Sequence, residues 1–296
     1  MSSVHSALVT ARSALSAVTD NASREAEDML CHLLGWDRLK LFMENRTLLN
    51  ETAAQKFEAM VARRIEGEPL QYLLGHAGFM GLDFLVRPGV LIPRPDTELL
   101  VEMALSHLKA LEQARPSADF FKVADLGTGS GAIALSIAHY NEASSVTAVD
   151  LSPQALAVAE ENVRRLGLDQ RVRLIEADMF DFLAGAEAAS FDLIASNPPY
   201  IPTQVIESLQ VEVRVHEPRL ALDGGPDGLG PYRRLAVMAH RPLVSGGRLV
   251  MEIGHDQAAP VKQFLLDAGV WEKVECIRDL QGNDRVVTAV KSRAAV

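Results

Sequence analysis

Four consecutive residues, Asn197-Pro198-Pro199-Tyr200, combine groups that could hold a planar NH2 group. They directly follow the apolar segment 191–195, so we expect them at the carboxyl end of a buried strand. Two successive prolines donate no backbone hydrogen bond and keep the chain extended, which leaves carbonyl oxygens in a fixed arrangement. An NH2 group could donate to the Asn197 side-chain oxygen and the Pro198 carbonyl, while Tyr200 covers its plane. A rigid turn would explain the prolines but not Asn197 and Tyr200.

Such a pocket suits alkylation of an amide nitrogen. This nitrogen is a poor nucleophile because its lone pair is delocalised into the carbonyl, and a sulfonium methyl group must be attacked in line. Accepting both hydrogens polarises the nitrogen and fixes its lone pair, so orientation and electrostatics should supply most of the catalysis. The methylated nitrogen becomes acidic and can lose its proton afterwards. We assign catalytic roles to Asn197, Pro198 and Tyr200, substrate binding to these residues and Pro199, and no catalytic base.

A glycine-rich loop, Gly127-Thr128-Gly129-Ser130-Gly131, follows the apolar segment 123–126 and precedes a helical pattern. Glycines let the backbone approach a ligand closely, and the helix N-terminus presents N–H groups to it. The loop also satisfies the dinucleotide pattern, so it favours a nicotinamide enzyme about as well as a methyltransferase. A structural turn without a ligand is the third interpretation.

Two further positions favour a nucleoside ligand. Asp150 ends the second predicted strand about 20 residues after the loop, where a carboxylate can bind ribose hydroxyls. It could instead only precede the next helix, which Ser152 would cap. After the third strand, Asp178 could accept from an adenine amino group and Met179 could pack on its face.

The elements that would position these residues alternate between strand and helix. Short apolar segments lie at 123–126, 146–149, 172–175, 191–195, 249–253 and 286–290. This alternation predicts an α/β fold, with a mainly parallel sheet covered by helices on both faces and ligands at the carboxyl ends of the strands. Ser245-Gly246-Gly247 predicts a tight turn before one strand.

The N-terminal part predicts a small helical bundle over 1–74. One helix covers 24–36 and ends near Gly35, and another begins at Thr52, where Thr52-x-x-Gln55 resembles a capping box. Residues 75–95 predict a short hairpin and linker, because Gly and Pro recur between short apolar stretches. The remaining domain, 96–296, should open with a helix over 97–111.

Composition narrows the function. The net charge of the 296-residue chain is −10, of which −1 lies in residues 1–95 and −9 in residues 96–296. An enzyme acting on nucleic acid normally carries clustered Lys and Arg, so a protein or small-molecule substrate fits better. No apolar run reaches the roughly 18 residues that a spanning helix needs, and we expect a cytoplasmic monomer without membrane contact. Neither the eight histidines nor Cys31 and Cys276 show a ligand spacing, so we predict no metal.

Taken together, these segments resemble the release factor glutamine methyltransferases over nearly the whole chain. The helical part carries REAEDMLCHLLG and GEPLQYLLG, and the linker carries GVLIPRPDTELLVE. The cofactor and substrate motifs are DLGTGSGAIALSIA, AVDLSPQALAVAEEN and FDLIASNPPYI. The C-terminal part carries EPRLALDGGPDGLGPYRRL, GGRLVMEIG and GNDRVV.

The resemblance implies a Rossmann-like class I S-adenosylmethionine methyltransferase with a seven-stranded sheet. It implies methyl transfer from S-adenosylmethionine to the glutamine N5 in the Gly-Gly-Gln motif of class 1 peptide chain release factors, leaving S-adenosylhomocysteine. Recognition of the release factor would involve the helical domain. Met179 departs from the family, in which tryptophan is common at this position. The resemblance further implies that Asn197 contacts both cofactor and substrate, and that Arg94, Glu217 and Pro218 have a wall-forming or interdomain role.

Four alternatives remain open on the sequence. A sister enzyme that methylates a ribosomal-protein glutamine has similar motifs. An adenine amino-methyltransferase would use an NPPY-like motif for the same planar NH2 group, but would need a basic or base-flipping surface. A dehydrogenase would leave this motif without a role, and a noncatalytic binding module would bind the cofactor without transferring a methyl group.

Overall fold

The computed structural model describes residues 2–116, 118 and 120–293. The chain divides into two compact units. Unit 1 comprises Met1–His76 and Leu209–His216, and unit 2 comprises Ala77–Ser208 and Glu217–Val296. Unit 1 is therefore discontinuous in sequence, because a short later segment of the chain packs with it.

Unit 1 is helical. Its helices are α1 (Val4–Leu15), α2 (Ala22–Leu34), α3 (Arg38–Met43), α4 (Glu51–Ile65), α5 (Leu70–Leu74) and α10 (Val211–His216). Gly35 ends α2 with φ +64°, as predicted. The predicted capping box at Thr52 is wrong, because the side chain of Asn50 caps α4 by accepting from the Ala53 amide at 2.8 Å. Gln55 instead donates to the Glu51 carboxylate at 3.4 Å.

A buried cation joins three parts of unit 1. The Arg64 side chain on α4 is 4% exposed, and its Nε lies 2.7 Å from Glu25 Oε2 on α2. Its Nη2 lies 2.7 Å from Glu212 Oε1 on α10. A buried guanidinium is tolerated only where its charge and donors are matched, and these two carboxylates provide that match. Arg64 thus binds the later segment to the N-terminal helices.

Unit 2 contains a two-stranded hairpin and a seven-stranded sheet. The hairpin strands are β1 (His76–Phe79) and β2 (Leu82–Leu85). The sheet strands are β3 (Phe121–Leu126), β4 (Ser144–Asp150), β5 (Val172–Glu176), β6 (Phe191–Ser196), β7 (Leu243–Glu252), β8 (Trp271–Arg278) and β9 (Asp284–Lys291). Their order is β5-β4-β3-β6-β7-β9-β8, and only β9 pairs antiparallel with its neighbours.

Helices cover both faces of the sheet. They are α6 (Glu98–Ala114), α7 (Ala132–Tyr140), α8 (Pro153–Leu166), α9 (Met179–Gly185), α11 (Gly230–Met238) and α12 (Ala258–Asp267). One apolar core combines buried residues of α6, α7 and α8 with the sheet, and a second combines α9, α11 and α12 with it. This confirms the predicted α/β fold with a mainly parallel sheet and an additional helical part.

Five of the six predicted strand segments lie wholly within strands, the segment 249–253 extends one residue beyond the end of β7, and the structure adds β8 at the sheet edge. The predicted turn at 245–247 is wrong, because these residues lie inside β7. There the pairing with β6 passes from Phe191–Leu243 to Leu193–Arg248, so a bulge accommodates the extra residues of β7.

The sheet order places the chemistry-bearing loops together. β3 lies between β4 and β6. The chain therefore continues from β3 to β4 and β5 on one side, and then returns to β6 on the other side of β3. Ligands of open parallel sheets bind at such a switch point, outside the carboxyl ends of the strands. Among the described residues, no helix has both the length and the apolar character needed to cross a membrane, and no cluster of three metal-binding side chains occurs.

Candidate active site

The loop after β3 follows a tight left-handed path. Gly127, Gly129 and Gly131 have φ values of +76°, +59° and +86°, which glycine adopts without steric cost. The amides of Gly127 and Thr128 both donate to the Val149 carbonyl at 2.8 and 3.0 Å. The loop is thus attached to the end of β4, and these two N–H groups are already paired within the chain.

The buried carboxylate of Asp125 stabilises this loop through hydrogen bonds. Asp125 Oδ2 accepts from the Thr128 hydroxyl at 2.6 Å and from the Ala134 amide at 3.1 Å. Asp125 is fully buried, and this burial raises the pKa of its carboxyl to about 7. Asp125 therefore connects β3, the glycine loop and the first turn of α7.

Asp150 connects the glycine loop to the next helix. Its Oδ2 accepts from the Gly129 amide at 2.8 Å, and its Oδ1 accepts from the Ser152 amide at 2.9 Å. Burial raises the pKa of this carboxyl. Ser152 caps α8, in which Pro153 is the first residue. Asp150 was interpreted either as a ribose-binding carboxylate or as a residue that only precedes the cap of the next helix. The two interpretations are compatible, because the side chain that precedes the cap also lies beside the glycine loop.

The residues after β5 also combine a helix cap with a position near the glycine loop. Asp178 caps α9, because its Oδ1 accepts from the amides of Phe180 and Asp181 at 2.8 and 3.2 Å. Met179 begins α9, and its Cε lies 3.5 Å from the position that a Cβ on Gly127 would occupy. The ends of β3 and β5 are therefore close to each other across the end of β4.

These loops surround a cavity of about 300 Å³ in unit 2. This volume lies in the range of small-molecule sites. Nine residues of the predicted site line it: Gly127, Thr128, Gly129, Ser130, Asp150, Asp178, Met179, Asn197 and Pro199. Gly131, Pro198 and Tyr200 do not line it. A Cβ on Gly131 would come within 2.9 Å of the Leu135 side chain, so this glycine allows α7 to pack closely.

The segment between the hairpin and α6 forms another wall of the cavity. Its lining residues are Gly89, Val90, Leu91, Pro93, Arg94 and Thr97. The sequence pattern predicted a linker up to residue 95 and placed Thr97 at the start of the following helix. The repeated Gly and Pro of the linker indicated an irregular path, but no periodicity indicated that the path returns to the carboxyl edge of the sheet.

Asn197 follows β6, which is buried along its whole length. Its Nδ2 donates to Thr97 Oγ1 at 3.3 Å, and no described residue donates to its Oδ1. Pro198 is buried, and no described residue donates to its carbonyl oxygen either. Two acceptors of the predicted substrate motif are therefore unused within the described part of the chain.

Tyr200 does not line the cavity. Its hydroxyl donates to Glu252 Oε1 at the end of β7, at 3.2 Å. Burial, followed by the nearby Glu252 carboxylate, raises the pKa of the Tyr200 hydroxyl. Glu252 was not among the residues predicted from the sequence, although it ends a strand at the same edge of the sheet as Asp150.

The backbone after the motif is held by a glycine-rich segment, 222–230. The Ile201 amide donates to the Leu222 carbonyl and the Gly224 amide donates to the Ile201 carbonyl, both at 2.9 Å. The Gln257 side-chain amide donates to the Tyr200 carbonyl at 3.0 Å. The backbone at the end of the substrate motif is therefore fixed by hydrogen bonds to segment 222–230 and from the Gln257 side chain.

Arg94 and Glu217 form an ion pair at the cavity wall. The Arg94 guanidinium contacts the Glu217 carboxylate, whose side chain is 1% exposed. Arg94 and the neighbouring Pro218 both line the cavity. The geometry therefore favours the wall-forming role of this pair.

Comparison with known proteins yields two matching family models. The PrmC N-terminal domain matches residues 6–75, and the methyltransferase small domain matches residues 101–224. A release factor glutamine methyltransferase of Moorella thermoacetica is 46% identical over 263 residues, which cover 88% of this chain and 89% of the relative. The enzyme of the same name from Geobacter sulfurreducens is 44% identical over 268 residues, covering 90% and 89%.

A solved structure of a release-factor-specific protein-(glutamine-N5) methyltransferase from Alicyclobacillus acidocaldarius is 33% identical. It covers 71% of this chain and 99% of that chain, with a TM-score of 0.42. The curated relatives match along most of both sequences, from the helical part to the sheet. On this sequence similarity, the chain belongs to the release factor glutamine methyltransferase family.

Proposed function

We propose that this chain transfers a methyl group from S-adenosylmethionine to the side-chain amide nitrogen of the glutamine in the Gly-Gly-Gln motif of class 1 release factors. The observation that carries the proposal is the position of Asn197. It lines the cavity beside the glycine loop, and it begins the motif in which the Asn197 side-chain oxygen and the Pro198 carbonyl receive no hydrogen bond from the described residues. The names of the curated relatives support the choice of substrate.

The residues around the cavity suit S-adenosylmethionine. Carboxylates at Asp150 and Asp178 provide acceptors for ribose hydroxyls and for an adenine amino group. Val90 and Met179 supply apolar wall for the adenine face. When bound, the cofactor supplies an electrophilic methyl group on a sulfonium. The chain itself has to bring a weak nucleophile to that group in the correct orientation.

Asn197 and Pro198 would orient the nucleophile. The glutamine NH2 group donates one hydrogen to Asn197 Oδ1 and the other to the Pro198 carbonyl, which polarises the nitrogen. Buried acceptors with fixed positions need no reorganisation during the reaction, so they stabilise developing positive charge effectively. Pro199 and Tyr200 would complete the pocket, with the Tyr200 ring held by its bond to Glu252.

No residue has to remove a proton before attack. Once methylated, the amide nitrogen is strongly acidic and its proton passes to water. The chain's contribution is therefore positioning and electrostatics, which are worth several kcal/mol in well-formed sites. We also propose that the enzyme acts in the cytoplasm. We further propose that it acts as a monomer, without nucleic acid, and that the helical domain contributes to recognition.

The test is peptide mapping by mass spectrometry of a purified class 1 release factor incubated with isotopically labelled S-adenosylmethionine. We expect label on the glutamine of the Gly-Gly-Gln motif. Asn197→Ala should reduce the rate by roughly 100-fold or more, the cost typical of losing one fixed catalytic hydrogen bond. Gln263→Ala, which removes an exposed side-chain amide on α12 of unit 2, serves as the control and should retain the wild-type rate.

Two outcomes would contradict parts of the proposal. Label on a ribosomal protein or on nucleic acid, with none on the release factor, would overturn the substrate but keep the cofactor. An undiminished rate in Asn197→Ala would overturn the site. Calorimetric titration of each variant with S-adenosylhomocysteine separates loss of cofactor binding from loss of catalysis.

A further inference from the structure

The buried side chain of Asn162 joins two parts of unit 2 that are far apart in sequence. Asn162 lies on α8 and is 1% exposed. Its Nδ2 donates to the Ser130 carbonyl at 2.9 Å and to the Leu85 carbonyl at 3.0 Å. Its Oδ1 accepts from the Leu85 amide at 2.7 Å. Both hydrogens of the side-chain amide and its oxygen are therefore used.

On one side, Asn162 holds the glycine loop. Ser130 lines the cavity, and its carbonyl accepts from Asn162 where the loop passes into α7. Helix α8 lies close to this point, because a Cβ on Gly131 would come within 3.5 Å of the Ala159 Cβ. Ala159 and Asn162 are three residues apart and so lie on the same face of α8. The hydrogen bond therefore fixes the end of the loop against α8.

On the other side, Asn162 holds the hairpin. Leu85 ends β2, and both its amide and its carbonyl bind the Asn162 side chain. A side-chain amide offers the same donor and acceptor as a peptide group, so Asn162 takes the place of a neighbouring strand. The hairpin contributes Phe79 to the cavity wall, and Phe79 packs edge-on against Phe84 of β2, with ring centroids 6.0 Å apart. Fixing β2 therefore also fixes this aromatic ring.

The chain after Leu85 continues directly into the cavity wall. Val90 lines the cavity only five residues later. A Cβ on Gly129 would lie 3.8 Å from Val90 Cγ2, so the glycine loop and this segment approach each other here. Asn162 itself does not line the cavity. It can influence a bound ligand only through the two walls that it holds.

We propose that Asn162 is a positioning residue for S-adenosylmethionine, which sets the distance between the glycine loop and the wall formed by the hairpin and the segment after it. One side-chain amide binds both walls, so neither wall can move alone without breaking a buried hydrogen bond. Such a break leaves buried polar groups unpaired, which is costly. This inference rests on the proposed function, since it takes S-adenosylmethionine as the ligand of the cavity.

The test measures the Kd for S-adenosylhomocysteine by calorimetry in Asn162→Ala and Asn162→Asp. Asn162→Ala removes all three hydrogen bonds. Asn162→Asp has the same size and can still accept from Leu85, but it cannot donate to both carbonyls. We expect the Kd to rise at least tenfold in Asn162→Ala and at least fivefold in Asn162→Asp. At saturating cofactor, the KM for the release factor should stay within threefold of wild type, because the bound cofactor then holds the walls in place.

Asn141→Ala is the matched control. Asn141 follows α7, is 7% exposed and donates to Glu112 Oε1 at 2.6 Å, but it does not line the cavity. This variant also loses a buried amide, so it should lose stability while its Kd stays within twofold of wild type. An unchanged Kd in Asn162→Ala, or an equal rise in the Asn141 variant, would overturn the inference.

Hydrogen exchange in the wild-type chain provides a second measurement, which needs no variant to fold. Residues 82–86 do not line the cavity, so a bound ligand can slow their exchange only through the walls. We expect S-adenosylhomocysteine to slow exchange in 82–86 together with the glycine loop, and slower exchange in the loop alone would contradict the role of Asn162. Neither measurement of binding requires methyl transfer. A wild-type chain that binds S-adenosylhomocysteine but labels no release factor would therefore refute only the proposed substrate.

Discussion

The carboxylate of Asp178 illustrates how a single residue can combine a structural and a binding role. One oxygen accepts from the amides of Phe180 and Asp181 and so caps α9. No described residue donates to the other oxygen, and the residue lines the cavity. The cap orients the carboxylate, which leaves the second oxygen for a ligand donor.

This division permits a test of the adenine contact. Asn is as good a cap as Asp, so Asp178→Asn should keep α9 intact while replacing the second oxygen with an NH2 group. We expect the affinity for S-adenosylhomocysteine to fall about tenfold, or about 1.4 kcal/mol, measured by calorimetry. Asp181→Asn is the matched control, since Asp181 is an exposed residue of the same turn that is absent from the cavity wall. Equal affinities for the two variants would argue against the contact.

The residues that the sequence identified share one property, which is that each follows a strand closely. Asp150, Asp178 and Asn197 end or follow β4, β5 and β6, and an apolar segment predicts such a position. Thr97 directly precedes α6 and was predicted as the first residue of that helix, with no role in the site. Its contact with Asn197 joins residues 100 positions apart, and no local pattern encodes such a pairing.

Among the elements, the glycine-rich segment 222–230 depends most directly on close backbone approach. Gly228 has φ +71°, and a Cβ there would lie 2.2 Å from the Tyr200 carbonyl oxygen. The same carbonyl accepts from the Gln257 side chain at 3.0 Å. A side chain at Gly228 would therefore displace the end of the substrate motif.

Gly228→Ala should lower both stability and kcat. Gly225→Ala is a matched control, because Gly225 also has a positive φ, +91°, but open space at its Cβ position. The control should lose only about 1 kcal/mol from left-handed strain, with near wild-type kcat. The Gly228 variant should lose clearly more and show at least tenfold lower kcat. Urea denaturation and the methylation assay measure these effects. Similar kcat values for both variants would show that the close approach of Gly228 to the Tyr200 carbonyl does not affect the substrate motif.

The strands were predictable where burial on both faces makes a segment continuously apolar, as in β6. In contrast, β8 lies at the sheet edge and exposes much of its length, so Glu and Lys interrupt its pattern. Apart from the wall-forming or interdomain role that the family resemblance implied for Arg94, the position of 89–97 at the cavity could not be predicted, because an irregular segment has no period that indicates its surroundings.

At the scale of the whole chain, no pattern along the sequence predicts that unit 1 is discontinuous. The division into 1–74, 75–95 and 96–296 remains our proposal for the functional domains. The structure adds that Leu209–His216 packs with the N-terminal helices, although it lies between the substrate motif and Glu217 in sequence. The matching N-terminal family model ends at residue 75 and does not include this segment.

Arg64 should therefore stabilise two distant parts of the sequence at once. Arg64→Ala leaves Glu25, whose side chain is 10% exposed, without its cation, which typically costs about 3 kcal/mol or more. We expect faster hydrogen exchange both in α2 and in residues 211–216, measured by mass spectrometry. Arg63→Ala is the matched control, because the 54% exposed Arg63 pairs with Glu68 nearer the surface and should contribute less than about 1 kcal/mol. Unchanged exchange in 211–216, with faster exchange in α2, would show that other contacts hold the later segment. Faster exchange in both, without a change in the Arg63 variant, would establish the single guanidinium as the link between them.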